Sequence, residues 1–470
     1  MITNLTVRLD VVMNSRNILN MESQKLVAIL IISIICVVVI DMELSNVSDI
    51  ISDSLSSDWG LIAFTLIIII YSVAQYLLIR YVKDKSSEIR IKQDVFHSVN
   101  RIVNLAQGML IFLLVVLLLE IILTSKYYVG ILMTIVLITN LLNIVIMGLL
   151  AKWLISWYTA RKDVVIMLYA ISCLIFVLVA AVSMLFVGNI LSSKPSLISG
   201  ATQVYFPSFE ASSFMGILNY TYYFLGIISF ITMWVATALL LRYYSKRLGS
   251  AKYWIICSAP LAFFLGQLVV SVLNLYIPIA SESVEEQTSF LFYYSIIFTV
   301  GSVIGGILFG LPFWIVARNV GKYEGKDKEK LMNYLNICGY GMALFFTSGS
   351  ATILQTPYPP FGLVTVSLIG MSSYLILVGL YYSAISVSQD IRLRKSIRKF
   401  AVDEGKLLDN IGSAQMEIEI HDKVKKFSSD DNSEAIENKI TQSSLSEQEL
   451  KRYFTEVLDE IKNERQKKNN

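Results

Sequence analysis

The chain has 470 residues, of which 55% are hydrophobic and only 16% charged, and its mean hydropathy is +0.62. Soluble domains carry about 25% charged residues, so this composition excludes an ordinary soluble globular protein. The net charge of +3 says little as a sum; the placement of the charges says more, and no nucleic-acid partner is expected.

Ten stretches approach the roughly 20 apolar residues that a helix needs to cross a bilayer. They lie at about 25–44, 60–80, 102–124, 129–150, 164–191, 214–241, 253–278, 289–317, 332–355 and 362–387. Barrel strands alternate in polarity and these runs do not, so the spans are helices. The expected fold is all-α, a polytopic integral membrane helix bundle of about ten transmembrane helices over 25–387. A cytoplasmic segment, 1–24, precedes it and a cytoplasmic helical tail follows it. The lipid bilayer is the first partner. The run at 25–44 is followed by "DMELSN" and not by a small-residue cleavage site, so it reads as a retained helix.

Orientation follows from the loops. With the N-terminus inside, the inner segments before the tail carry 21 Lys and Arg and the outer loops carry two, Lys126 and Lys194. Short loops rich in Lys and Arg stay on the cytoplasmic side. An even number of spans then puts both termini in the cytoplasm of a cell whose plasma membrane holds the bundle. Asp41 and Glu43 close the first span and read as interfacial.

Glu120, in "LLVVLLLEIILTSKYY", is the ionisable group read as deepest in a span. It is either an interfacial carboxylate or a cation or proton site. Asn104, Gln107, Asn140, Asn143, Asn219, Thr221, Gln267 and Asn274 are neutral polar residues that would join it if the helices converge. In span eight, Gly301 and Gly305 are four apart, as are Gly306 and Gly310. That spacing puts each pair on one face and offers a smooth seam to another helix.

Span nine ends in "TSGSATILQTPYPPFG". Thr347, Ser348, Ser350 and Thr352 surround Gly349 with hydroxyls, which bend helices by bonding to their own backbone. The segment is either a crowded helix crossing or a break lining a small-solute or ion site. Pro357, Pro359 and Pro360 then impose an extended turn over 356–361. The loop 192–213 is long for a simple connection, and reads as a covered loop or a lid.

The tail divides into three parts. A helical stalk, 388–427, begins with a basic cluster that suits anionic head groups. Its apolar residues Leu393, Ile397, Phe400, Leu407, Ile411 and Ile418 fall on a heptad seam. The seam either joins two copies as a coiled-coil homodimer or packs on the chain's own inner loops. Residues 428–445 are polar and expected to be disordered. Residues 446–466 form an amphipathic helix that needs a surface to dock on, the bundle, the membrane or a cytoplasmic partner.

Several chemistries leave no trace. The four cysteines form no CxxC pair, both histidines lie outside the spans, and there is no P-loop, HExxH or GxSxG. No metal, cofactor or enzymatic activity is expected. The stretches "TSGSATILQTPYPPFG", "SSYLILVGLYYSAISVSQD" and "LRKSIRK", within residues 345–399, resemble the last two spans of uncharacterised multi-pass membrane proteins of archaea. The resemblance implies location and topology and transfers no site. The residues themselves support a membrane sensor or signalling component that couples the bundle to the stalk. The alternative is a secondary transporter or channel for a small solute or cation at the polar segment of span nine. A structural or assembly role is a third reading.

Overall fold

The computed structural model describes residues 26–45, 58–87, 94–199, 213–244, 249–276, 284–320, 328–349, 358–390, 392–394, 397 and 406–429. Within 94–97, 267–276, 284–295, 298 and 421–429 it describes the backbone alone. The principal helices are α1 (Leu26–Ser45), α2 (Asp58–Ser87), α3 (Asp94–Thr124), α4 (Val129–Ala160), α5 (Val164–Ser192) and α6 (Phe214–Arg242). They continue with α7 (Ser250–Tyr276), α8 (Val284–Val320), α9 (Lys328–Ser348), α10 (Leu363–Gln389) and α11 (Lys406–Ser429). Two short strands, β1 (Lys126–Tyr128) and β2 (Leu197–Ser199), pair antiparallel, with Tyr127 opposite Ile198. The chain divides into two compact units, Met1–Ala414 and Gln415–Asn470.

Among the described residues, eight helices are long and apolar enough to cross a membrane: α1 to α6, the Thr299–Val320 part of α8, and α10. The chain is therefore an integral membrane helix bundle. α7 carries a shorter apolar stretch, Ser250–Gly266. α9 is diluted by polar residues such as Asn333 and Asn336.

α10 lies at the centre of the first unit. Its apolar span is 94% buried, whereas the other seven candidate spans are 33% to 61% buried. The sequence explains this. From Leu363 to Gln389 it holds no charged residue, and Gly370, Ser372, Ser373, Gly379, Ser383 and Ala384 let neighbours come close. A Cβ on Gly379 would stand 2.5 Å from the backbone nitrogen of Cys338 on α9. One on Gly341 of α9 would stand 2.7 Å from the backbone nitrogen of Ile376. α9 and α10 thus touch backbone to backbone.

α8 meets the opposite side of α9 in the same way. A Cβ on Gly306 would lie 2.5 Å from Ala343 O, and one on Gly310 would lie 2.5 Å from Gly339 O. Of the four glycines expected to form a seam, Gly306 and Gly310 make this approach. Gly301 is buried, and Gly305 has only Phe309 nearby, at 3.9 Å.

On the outer side, the expected loop 192–213 contributes β2, so part of it is strand. Val129 N donates to Ser196 O at 3.0 Å and completes the clasp. Tyr127, fully buried, stacks with Tyr358 at 6.3 Å between ring centres. Tyr358 also bonds Ser125; burial pushes the Tyr358 hydroxyl up and that bond partly offsets it. Trp59 and Trp254, near the starts of α2 and α7, are exposed. Trp157 is fully buried, and Trp153 stacks on Tyr381 of α10 at 4.0 Å.

Candidate functional site

Helix α10 carries a polar track, and each neighbouring helix contributes to it one turn at a time. At its outer end Gly362, in the left-handed region at φ 88°, turns the chain from the buried segment Pro359–Phe361 into the helix. A side chain there would also meet Ser45 Oγ at 2.8 Å, so glycine is required twice over. Gly362 has no side chain to cap the helix. Asp41 of α1 supplies the missing acceptor. Its carboxylate accepts from Gly362 N at 2.9 Å, from Thr365 N at 2.9 Å and from Thr365 Oγ1 at 2.8 Å. A carboxylate at a helix N-terminus satisfies orphan N–H groups and suits the helix dipole.

Asp41, read as closing the first span at the interface, is fully buried within the protein. Position along α1 gives its depth along that helix. It does not reveal that the entrance to α10 lies over it.

One turn inward, Ser367 Oγ pairs with Tyr71 Oη of α2 at 2.9 Å. Next, Gly370 faces Leu142 of α4 and Gln107 of α3. Ser373 Oγ then donates to Asn143 Oδ1 of α4, and Tyr374 Oη donates to Asn100 Oδ1 of α3, both at 2.5 Å. Gln75 of α2 donates to Gln107 beside this track.

The residues singled out in the sequence fall in other places. Glu120 is half-buried at the outer end of α3, where it accepts from Tyr128 N at 3.2 Å and fastens α3 to β1. Thr347 and Ser348 are buried, and their hydroxyls donate to Ala343 O and Leu344 O of their own helix, each at 2.8 Å. Thr347 Oγ1 also lines the approach of Gly306, so it sits in a helix crossing. The described part of α9 runs to Ser348, with Gly349 N bonded to Phe345 O in a turn, and residues 350–355 of the expected span lie outside the described residues. Ser350 and Thr352 lie outside the described residues.

Of the neutral polar residues, Gln107 and Asn143 reach α10. Asn140 donates to its own Val136 O, and Thr221 to its own Ile217 O. The side chains of Gln267 and Asn274 lie outside the described residues. The four glycines Gly339, Gly341, Gly370 and Gly379 were missed. "CGYG" on α9 and the spacing of glycine and serine on α10 were the available signals.

At the inner end the expected continuous stalk is interrupted. α10 stops at Gln389, and Asp390 is extended. Its carboxylate accepts from Leu393 N at 3.0 Å and opens a new turn at 392–394. An Asp at such a position favours a fresh helix start over continuation. Of the seam residues, Leu393, Ile397, Leu407 and Ile411 are buried within the first unit. In this arrangement they are covered by the chain itself and are not offered to a second copy. Ile418 is half-buried in the second unit, and Phe400 lies outside the described residues.

Three contacts place the start of α11 within the first unit. Gly412 packs so closely on Val387 of α10 that a Cβ there would overlap it. Asn410 Nδ2 donates to Asp163 Oδ2 at 2.5 Å, while Asp163 Oδ1 caps α5 through Val165 N at 2.7 Å. Lys406 Nζ lies 5.5 Å from the ring centre of Tyr243, just past α6. In the second unit, Gln415 Nε2 donates to Glu419 Oε1 at 3.0 Å along α11. The amphipathic segment 446–466 and the linker 428–445 lie outside the described residues.

Among the described residues no group of His, Cys, Asp or Glu could hold a metal ion. No family model, curated protein or solved structure matches the chain.

Proposed function

We infer that the protein is a membrane-embedded signalling component in which α10 is the transmitting element and α11 the cytoplasmic read-out. In this reading α7 and α9 cross the membrane along with the eight candidate spans, and both termini lie in the cytoplasm. The 21-to-two division of basic residues supports that orientation. The resemblance of residues 345–399 to archaeal multi-pass proteins is in keeping with it. No enzymatic step is part of this reading.

The observation that carries it is the seat of Gly412 on Val387. α10 is enclosed along its length, so a shift of its axis has few directions to go. Its inner end bears directly on α11, through a contact with no spare room. Packed interfaces of this kind hold discrete arrangements and do not deform smoothly. Asp163 joins the same seat to the start of α5, so a change between α5 and α10 also reaches α11.

The test is a cysteine pair, Asp163→Cys with Asn410→Cys, in a background lacking the native thiols. Cross-linking rates are measured in native membranes across pH, ionic strength, osmolarity and a panel of small solutes. A condition that changes the rate supports transmission. A constant rate under all conditions refutes it. Solute flux in proteoliposomes that survives removal of 388–470 would favour the transporter reading, for which the polar track of α10 is the relevant feature.

A further inference from the structure

The track along α10 contains a pair of side chains that do not satisfy one another. Gln75 and Gln107 are both fully buried, near the middle of their helices. Gln75 Nε2 donates to Gln107 Oε1. That leaves Gln75 Oε1 and Gln107 Nε2, both enclosed and both without a partner. Exchanging oxygen and nitrogen on both amides, a matter of assignment for carboxamides, changes nothing essential. One acceptor and one donor still remain. Buried polar groups left in this state are costly, and native proteins meet the cost with a bound molecule when space is polar.

The surroundings are polar and built for close approach. Gln107 Nε2 lies 3.4 Å from where a Cβ on Gly370 would stand and Leu142 Cδ2 lies 2.8 Å from it, so the glycine lets α10 close on α4 with the amide alongside. The Tyr71–Ser367 pair lies one turn outward and the Asn143–Ser373 pair one turn inward. Two more unpartnered hydroxyls belong to the same helices. Ser72 Oγ is one turn from Gln75 on α2, and Thr139 Oγ1 is one turn from Asn143 on α4. None of these groups carries a formal charge. The carboxylate of Asp41 is already engaged by three donors.

We propose that Gln75 and Gln107, over Gly370, form a mid-membrane binding site for a small neutral molecule that donates one hydrogen bond and accepts another. Water is the smallest member of that class, and a primary amide is a larger one. An ion does not fit, because one of the two open groups is a donor and the other an acceptor. A purely apolar molecule would leave both unpaired. The site stands apart from the transmission reading and survives its failure.

Hydroxyl-radical footprinting of the full chain in lipid nanodiscs tests it. Radicals generated from water in place mark the side chains beside that water. Tyr71 and Leu142 flank the site, and Phe186 and Ile190 are equally enclosed residues of similar intrinsic reactivity elsewhere in the bundle. Tyr71 and Leu142 are expected to be oxidised several-fold faster than Phe186 and Ile190. The excess should vanish in the double variant Gln75→Leu/Gln107→Leu. Gly370→Ala, which places a methyl group against Gln107 and Leu142, gives a second way to fill the site if the double variant does not fold.

Adding acetamide separates the two sources. Protection of Tyr71 and Leu142 by acetamide, but not by N,N-dimethylacetamide, assigns the site to an amide-sized solute. Labelling that ignores both assigns it to water. Labelling of Tyr71 and Leu142 no faster than that of Phe186 and Ile190 overturns the proposal, and so does an excess that persists in the filled variants. Either result would mean that the two amides close on each other with nothing between them.

Discussion

Replacing Asp41 with leucine removes the acceptor for three hydrogen bonds at the start of α10. Thr365 Oγ1 retains a second acceptor, Val38 O at 3.3 Å. The N–H groups of Gly362 and Thr365 lose their carboxylate partner at a site closed to water. An unsatisfied buried donor costs about 1–3 kcal/mol, so the two together cost about 2–6 kcal/mol. Removing a buried carboxylate recovers part of the desolvation that its burial incurs. The expected net loss is about 2–3 kcal/mol. Asp41→Asn keeps one carbonyl oxygen and should lose about half as much, while Thr365→Val, which loses only the hydroxyl bond, should lose about 1 kcal/mol. At about 2–4 °C per kcal/mol for domains of a few hundred residues, the leucine variant should melt about 5–10 °C below its parent. Unfolding can be followed with a fluorogenic thiol dye, because Cys173, Cys257 and Cys338 are buried; Cys36, which is exposed, is first replaced by alanine. The double variant Asp41→Leu/Thr365→Val should fall short of the sum of the two single effects, since both remove the same bond. A leucine variant that melts with its parent, or effects that simply add, would refute the capping role.

Further outcomes follow from the packing. Gly379→Val and Gly306→Val should each destabilise the bundle by about 1–3 kcal/mol or more, because the new side chain meets backbone that cannot rotate away; Gly305→Ala, with only Phe309 nearby at 3.9 Å, should be close to neutral in the same melt. A double-mutant cycle on Tyr71→Phe and Ser367→Ala should give a coupling of about 1 kcal/mol, the net worth of one buried hydrogen bond. Gly412→Val should slow cross-linking between cysteines at 163 and 410 and expose the tail to protease, while leaving the melting of the spans unchanged. A cysteine in place of Lys194 should react with impermeant maleimide from outside intact cells, and one in place of Lys162 only after lysis; the reverse pattern would invert the topology.

The spans were legible because hydropathy depends on the local sequence alone, and most helix limits lie within a turn or two of the apolar runs. The exceptions have physical reasons. At Gly349 the described part of α9 gives way to a turn, where a glycine after two hydroxyl residues weakens the helix. The capping role of Asp41 was not legible because its distance from the helix end does not reveal which other element covers it. Glu120 stood out for the same reason; in the structure one of its carboxylate oxygens accepts from Tyr128 N at the outer end of α3. The heptad stripe at Leu393, Ile397, Leu407 and Ile411 is a real apolar face. Period alone does not state whether a stripe meets a second copy or its own bundle, and the glycine at 412 was the one local hint of a tight seat. The meeting of Gln107 and Leu142 at Gly370, with Gln75 bonded to Gln107, needs four helices in register, and no single segment encodes that.

The enclosure of α10 also bears on how the protein is made. Helices emerge from the ribosome in order, and α10 is the final candidate span among the described residues. The helix that touches α1, α2, α3, α4 and α9 in the finished protein therefore arrives after all of them. Until then the earlier helices must either stay apart or surround an open slot. In that interval Asp41, Tyr71 and Asn143 lack their partners on α10 and would face lipid or the insertion machinery. A nascent chain stalled before residue 363 is thus the form of this protein with the strongest claim on a membrane chaperone, and the arrival of α10 is the step that ends that dependence.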